Sequence, residues 1–188
     1  MKKSHHMILT LTLIGVISSG ALVGVYTYTY PAIEANRQKA LEEAIFQVLP
    51  GAERYETIIK DEKKIYQGID SAGNIVGYAF VGEAPGYQGI IKLMIGVEPE
   101  FKKTFAIQVL ESVETPGLGQ KIDEPGFRQQ FHGLHITPYV ELVKREPVAP
   151  NQIQAITGAT ISSETVVSIV NSTINKVREL LEGSGLAI

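Results

Sequence analysis

Two short segments of the sequence have residue types that could bind a ligand, and both rely on backbone groups more than on charged side chains. The first is Thr157-Gly158-Ala159-Thr160-Ile161-Ser162-Ser163, which directly precedes a long segment with helical periodicity. The N–H groups of a first helical turn have no partner within the helix and attract negative charge. If Thr160 is the N-cap, the free N–H groups of Ser162 and Ser163 point towards whatever the Thr160 side chain carries. The segment is therefore either a seat for an anion or an ordinary threonine cap.

The second segment is Glu114-Thr115-Pro116-Gly117-Leu118-Gly119-Gln120-Lys121, which follows the last of several strand-like stretches. Pro116 and Gly117 suit the two central positions of a type II turn, and Gly119 gives further backbone freedom. Such a loop exposes several N–H groups and lets a flat ligand approach the main chain. The alternative is an ordinary connection after a strand.

Other kinds of chemistry are excluded by what the sequence lacks. Its 188 residues include no Cys, so disulfides, thiolate-bound metal centres and cysteine nucleophiles are excluded. We find no Walker loop, dinucleotide fingerprint, serine nucleophile elbow or zinc-protease motif, and we predict no catalytic residue. His132 and His135 have chelating spacing but no evident third ligand, so we predict no metal site. The formal net charge of −3 argues against a nucleic-acid partner.

The N-terminal thirty residues have the pattern of a membrane anchor. Residues 7–30 contain no charged side chain, which at ~1.5 Å per residue is enough to cross a hydrocarbon core of about 30 Å. Tyr26, Tyr28 and Tyr30 form an aromatic belt at the far end, and Pro31 is expected to stop the helix. Lys2 and Lys3 place the N-terminus in the cytoplasm. We therefore predict an anchor over residues 1–30 and an extracytoplasmic domain over residues 31–188.

Two further features of the anchor bear on its role. Ser19-Gly20-Ala21 would serve as a signal-peptide cleavage site, but the apolar run continues well past it, which favours a retained anchor. The pairs Gly15/Ser19 and Gly20/Gly24 have the four-residue spacing that lets a second helix approach closely. Glycine is also simply common in membrane helices, so the pairs are either a packing face or incidental.

The remaining sequence predicts an α+β domain, in which an antiparallel sheet is flanked by helices. Apolar spacing indicates a helix over residues 33–49, a short helix over 127–134 and a long one over 162–181 that Gly183 ends. Between the first two, β-branched stretches separated by turn residues indicate a meander of strands. These connections are too short for parallel crossovers. The predicted strands are residues 57–60, 64–69, 75–82, 90–97 and 104–113.

The order and spacing of these features resemble a known family. The chain resembles the G subunit of Rnf-type ion-translocating ferredoxin:NAD oxidoreductases and is similar to the C subunit of Na⁺-translocating NADH:quinone reductase. The likeness rests on the N-terminal span, the strand pair from Gly86-Tyr87-Gln88-Gly89 to Gly96-Val97, the Glu114–Lys121 loop and Thr157-Gly158-Ala159-Thr160. It covers nearly the whole chain.

The resemblance implies a covalent cofactor. In that family the last Thr of the motif (S/T)-G-A-T carries FMN through a phosphoester bond, and the matching residue is Thr160. A flavin transferase makes that bond, and Gln154 stands where its recognition sequence usually has Asp. The expected contacts around the phosphate are Thr157, Gly158, Ala159, Ser162 and Ser163. The expected contacts bordering the flavin ring are Thr115, Pro116, Gly117, Leu118 and Tyr87.

The function implied is that of an electron relay within a membrane-bound ion-translocating redox complex, with the other membrane and redox subunits as partners. A flavin accepts one or two electrons without help from a protein acid or base, which agrees with the missing catalytic constellation. Two alternatives stay open. One is a flavin-free assembly subunit, which the Gln154 departure would suit, and the other is a self-standing covalent-FMN reductase of an external substrate.

Overall fold

The chain forms two compact units that meet in the sequence between Ala40 and Leu41. The computed structural model describes residues 2–183. Helix α1 runs from Lys2 to Val48, and in the first unit its apolar side chains are exposed, as Leu22 is at 72%. By length and composition this helix is suited to cross a membrane.

The expectation that Pro31 stops the helix is wrong, because α1 continues through it. The predicted helix over residues 33–49 is therefore the later part of α1. Proline removes one N–H donor, which leaves the carbonyl four residues earlier without its usual bond. That cost of about 3 kcal/mol is local, and long helical segments flank the residue on both sides. In the turn before Pro31, two threonine side chains add hydrogen bonds to the helix: the hydroxyls of Thr27 and Thr29 donate to the carbonyls of Val23 and Val25, at 2.8 and 2.9 Å.

The second unit is built on a five-stranded antiparallel sheet whose strands lie side by side in chain order. This confirms the predicted α+β class and the antiparallel meander. Every neighbouring pair is a hairpin, because each connection is short. The strands are β1 (Arg54–Lys60), β2 (Lys63–Ile69), β3 (Ile75–Pro85), β4 (Ile90–Val97) and β5 (Thr104–Glu111).

Helices cover both faces of the sheet. The last helix, α3 (Thr160–Glu182), packs its apolar stripe on β3 and β4 over residues such as Phe80 and Ile95. The last turn of α1 covers the opposite face, where Ile45 and its neighbours bury Met94. Gly96 is required there, because a side chain on it would overlap the carbonyl of Val48.

The segment between β5 and α3 contains only short elements. Turns of 3₁₀ helix at Gly119–Asp123 and Gln129–Phe131 flank a single α-helical turn, α2 (Pro125–Arg128). The predicted helix over 127–134 is therefore wrong in extent. It cannot reach residue 134, because Gly133 has a φ of +64°. Strands β6 (Glu141–Val143) and β7 (Gln152–Gln154) pair in parallel as a second small sheet, which the sequence patterns did not predict.

Candidate functional site

The two segments singled out in the sequence line one cavity of about 410 Å³. Its walls come from three parts of the chain: the hairpin that joins β3 and β4, the loop after β5, and the start of α3. The last two are the segments singled out in the sequence, and the hairpin contributes Tyr87, which the resemblance implied as a flavin contact. The lining residues are Tyr87, Glu114, Thr115, Leu118, Gly119, Gly158, Ala159, Thr160, Ile161 and Ser162.

Thr160 is the first residue of α3, and Ala159 occupies the cap position. Thr160 is therefore not the N-cap, and the set of free N–H groups differs from the one expected for a Thr160 cap. The N–H of Ser163 is not free, because it donates to the Ala159 carbonyl at 3.1 Å. The N–H groups of Thr160 and Ser162 have no acceptor in the described part of the chain, as expected for a first helical turn. They remain available to a ligand in the cavity.

The Thr160 hydroxyl is half-buried, lines the cavity and has no hydrogen-bond partner among residues 3–183. The neighbouring Ser163 is different. Its hydroxyl donates to the Ala159 carbonyl at 3.0 Å and accepts the N–H of Ile156 at 3.1 Å. The Ser163 hydroxyl thus stabilises the start of α3 by bonding to the main chain, whereas the Thr160 hydroxyl is available to a ligand.

The opposite wall is a turn, as the Pro-Gly pair predicts. The N–H of Leu118 donates to the Thr115 carbonyl at 3.1 Å, and Gly117 has a φ of +75°, as the third position of a type II turn requires. The turn directs Leu118 towards the cavity, so that a Cβ on Gly158 would lie 3.4 Å from Leu118 Cδ2. Pro116 and Gly117 shape this wall without lining it.

The mouth of the cavity is apolar and open to solvent. Tyr87, Leu118 and Ile161 line it and are 67%, 47% and 51% exposed. Ile161 was not predicted as a site residue, because an exposed apolar residue at the start of a helix has no special signal. An apolar rim around polar N–H groups suits a ligand with a flat ring and an anionic group. Thr157, Pro116, Gly117 and Ser163 lie outside the lining, and the expected contacts of all the site residues with a ligand stay predictions.

Glu114 is the main site residue that the sequence patterns did not select. It is only 5% exposed. Its Oε1 accepts the N–H of Gln88 at 3.0 Å, and its Oε2 accepts the hydroxyl of Ser162 at 2.5 Å. Burial alone would raise the pKa of this carboxyl, but the hydrogen bonds from Ser162 and from the hairpin N–H groups outweigh it, so the pKa lies below its ordinary value of 4.5. The carboxylate is therefore ionised at neutral pH.

Comparison with known proteins agrees with this geometry. Residues 86–175, which contain all the lining residues of the cavity, match the model of the FMN-binding domain family. The fold is also shared with the C subunit of the Na⁺-translocating NADH-quinone reductase from Parabacteroides distasonis, with a TM-score of 0.55 at 22% identity over 63% of this chain and 62% of that one. NqrC of Shewanella oneidensis gives 0.54 at 18% identity over 66% of each chain.

Similarity to proteins of known complexes extends over nearly the whole chain. The G subunit of the ion-translocating oxidoreductase complex of Methanosarcina acetivorans is 33% identical over 94% of this chain and 95% of its own length. The G subunit of the Na⁺-translocating ferredoxin:NAD⁺ oxidoreductase complex of Acetobacterium woodii is 32% identical over 92% and 90%. Its proton-translocating counterpart from Clostridium ljungdahlii is 29% identical over 92% and 91%. This chain belongs to the family of G subunits of ion-translocating oxidoreductase complexes, and its second unit contains an FMN-binding domain.

Proposed function

We propose that the chain is the membrane-anchored electron-relay subunit of an ion-translocating ferredoxin:NAD oxidoreductase complex and carries FMN covalently on Thr160. One observation supports this most directly. The Thr160 hydroxyl is unpartnered within the described residues, and it lies in the cavity of an FMN-binding domain beside free helical N–H groups. Its neighbours in the complex would be the other membrane and redox subunits.

The residues of the cavity fit both ends of FMN. A phosphate on Thr160 Oγ1 would lie at the N-terminus of a helix that extends to Glu182, where N–H groups and the helix dipole favour negative charge. The ring would contact the apolar side chains of Tyr87, Leu118 and Ile161. When bound, a flavin supplies transfer of one or two electrons. The chain's own residues hold and orient it, and in this proposal none has to accept or donate a proton.

Attachment of the cofactor is a group transfer that leaves the flavin's oxidation state unchanged. A bond forms between Thr160 Oγ1 and phosphorus, while a pyrophosphate bond breaks in a flavin dinucleotide donor. A nucleoside monophosphate leaves, and the hydroxyl proton passes to a base of the flavin transferase or to solvent. The Gln154 side chain is exposed and thus accessible to a transferase, while its main-chain N–H and carbonyl pair with the Gln130 side chain at 2.6 and 3.3 Å.

Mass spectrometry of the intact chain, produced in its native host, tests the proposal. We expect the wild-type chain to carry one added FMN and to show flavin fluorescence after denaturing electrophoresis. Thr160→Ala should lose both signals. Thr165→Ala is the matched control, because it removes a hydroxyl from the next turn of the same helix and should keep the adduct. A native chain without the added mass would instead support the flavin-free assembly subunit, and an adduct on Thr160→Ala would place the flavin elsewhere.

We also propose that the N-terminus lies in the cytoplasm and the FMN-binding domain on the other side of the membrane. The support is the position of Lys2 and Lys3 before the apolar span. Because the chain has no cysteine, single cysteines can report the side directly. A membrane-impermeant maleimide should label Glu56→Cys in intact spheroplasts and Ser4→Cys only after lysis. The reverse pattern would contradict the orientation.

A further inference from the structure

The Glu114 side chain is the point at which the three walls of the cavity meet. It lies in the loop after β5, binds the hairpin between β3 and β4 through Gln88, and binds the first turn of α3 through Ser162. These partners lie 26 and 48 residues away in the chain. A single buried side chain therefore joins all three segments.

Two glycines leave room for this carboxylate. A Cβ on Gly86 would lie 2.5 Å from Glu114 Oε1, and a Cβ on Gly119 would overlap Oε2 and lie 2.7 Å from Ser162 Oγ. The hairpin also closes tightly at this point, because the Gly86 N–H donates to the Gly89 carbonyl at 2.7 Å. The backbone around the Glu114 carboxylate thus leaves space for it at two positions, which indicates that the carboxylate has a role in this cavity.

The charge of Glu114 is held by hydrogen-bond donors instead of a cation. Its donors are the Ser162 hydroxyl and the N–H groups of Gln88 and its neighbours, and no ion pair to Glu114 occurs within residues 3–183. Donors of this kind stabilise a carboxylate but do not cancel its net charge. The cavity wall therefore carries a negative charge on a side chain that is only 5% exposed, where water screens it less than it screens a surface charge.

We propose that Glu114 is a positioning residue for the flavin site, and that its buried negative charge keeps the reduction potential of the bound flavin low. This inference rests on the proposed function, because it requires FMN in this cavity. Adding electrons to a flavin beside a fixed negative charge is less favourable than beside a neutral group. Glu114 itself gains or loses no electron or proton. Through its hydrogen bonds, Glu114 also fixes the relative positions of the three cavity walls.

The test is a redox titration of the full chain in detergent, with flavin loading first measured by intact mass. Glu114→Gln keeps the size and removes the charge, so we expect an upward shift of about 30 mV, a tenfold change in the equilibrium constant of a two-electron couple. The exposed Glu124→Gln is the control for removing a negative charge elsewhere and should leave the potential unchanged. Ser162→Ala removes a donor but keeps the carboxylate, so we expect its potential to fall below the wild-type value.

The outcomes separate the two proposals. A wild-type chain without flavin overturns both. A Glu114→Gln chain that carries flavin at the wild-type potential overturns this inference alone. A rise of the potential in both Glu114→Gln and Ser162→Ala also overturns it, because the shift would then come from disturbed packing. If Glu114→Gln fails to fold, Ser162→Ala decides. The net charge of Glu114 is unchanged in this variant, but one opposing donor dipole is removed, so the potential should fall below the wild-type value, and an equal or higher value overturns the inference.

Discussion

At the residue scale, the cavity depends on glycines that leave space for a carboxylate. Gly117 and Gly158 have positive φ values that favour glycine, and the turn residues around Gly117 predict that role. Gly86 and Gly119 serve another purpose, since a Cβ on either would meet Glu114. This purpose has no local signal, because a glutamate after a strand is usually exposed. Only the contact between segments far apart in the chain shows why these glycines are present.

Gly119→Ala should therefore destabilise the domain. The added Cβ would overlap Glu114 Oε2 and approach Ser162 Oγ, so we expect a loss of about 1–3 kcal/mol in the free energy of unfolding, together with weaker flavin loading. Gly126→Ala is the matched control, because a Cβ there meets nothing within 4 Å and should change stability by no more than about 0.5 kcal/mol. Chemical denaturation followed by circular dichroism measures both, and equal effects would contradict the prediction.

The ionised state of Glu114 also predicts a pH dependence. Its pKa in the folded domain lies below the ordinary 4.5, so the unfolded chain binds a proton more readily. Its contribution to stability is complete above about pH 4.5 and is lost as the pH falls through the folded pKa. We expect the stability difference between wild type and Glu114→Gln to be largest near pH 7 and to shrink below pH 4.5. A difference that grows on acidification would show that the pKa is raised instead.

At the element scale, the parts predicted well are those with long periodic patterns. The apolar stripe from Val166 to Leu181 predicts α3 to within two residues at each end, and the strands follow their β-branched runs. The pair β6 and β7 could not be predicted, because three residues are too few to show a period. The prediction of a helix end at Pro31 was wrong, since it weighed local proline chemistry without the flanking helical segments.

The last turn of α1 forms part of the hydrophobic core of the second unit. Ile45 is fully buried against the sheet, so Ile45→Ala should lower the free energy of unfolding by about 2–5 kcal/mol. Glu43→Ala changes an exposed residue in the same turn and should cost no more than about 0.5 kcal/mol. Denaturant titration of the detergent-solubilised chain compares the two. Similar midpoints would mean that this face of the sheet does not need its helical cover.

At the scale of the whole molecule, the anchor can act as a tether or as a packing surface. Within the first unit, a Cβ on Gly20 or Gly24 meets nothing within 4 Å, so the surface around both glycines is open. Small residues of this spacing let another membrane helix approach closely. A relay must also be held at a defined distance from its partners, which favours a packing surface.

We therefore expect Gly20→Leu combined with Gly24→Leu to leave insertion and flavin loading intact but to release the subunit from its complex on mild detergent extraction. Ser18→Leu combined with Val25→Leu adds bulk on the opposite side of the helix and should co-purify normally. Quantitative mass spectrometry of the extracted complex measures retention. Full retention of the glycine double variant would show that the FMN-binding domain alone makes the contacts.

The open mouth of the cavity has a consequence for how tightly the flavin must be held. Tyr87, Leu118 and Ile161 leave about half of their surface in water, so they offer a free cofactor only a modest contact area. If FMN is attached to Thr160 as proposed, the short covalent tether would supply an effective concentration on the order of millimolar, whatever the concentration of free FMN. The ring would then be bound most of the time, provided that its intrinsic dissociation constant lies well below that value. Fluorescence titration of Thr160→Ala with free FMN should accordingly give a dissociation constant on the order of 0.1 mM, which would mean that the cavity governs orientation while the proposed ester bond governs occupancy.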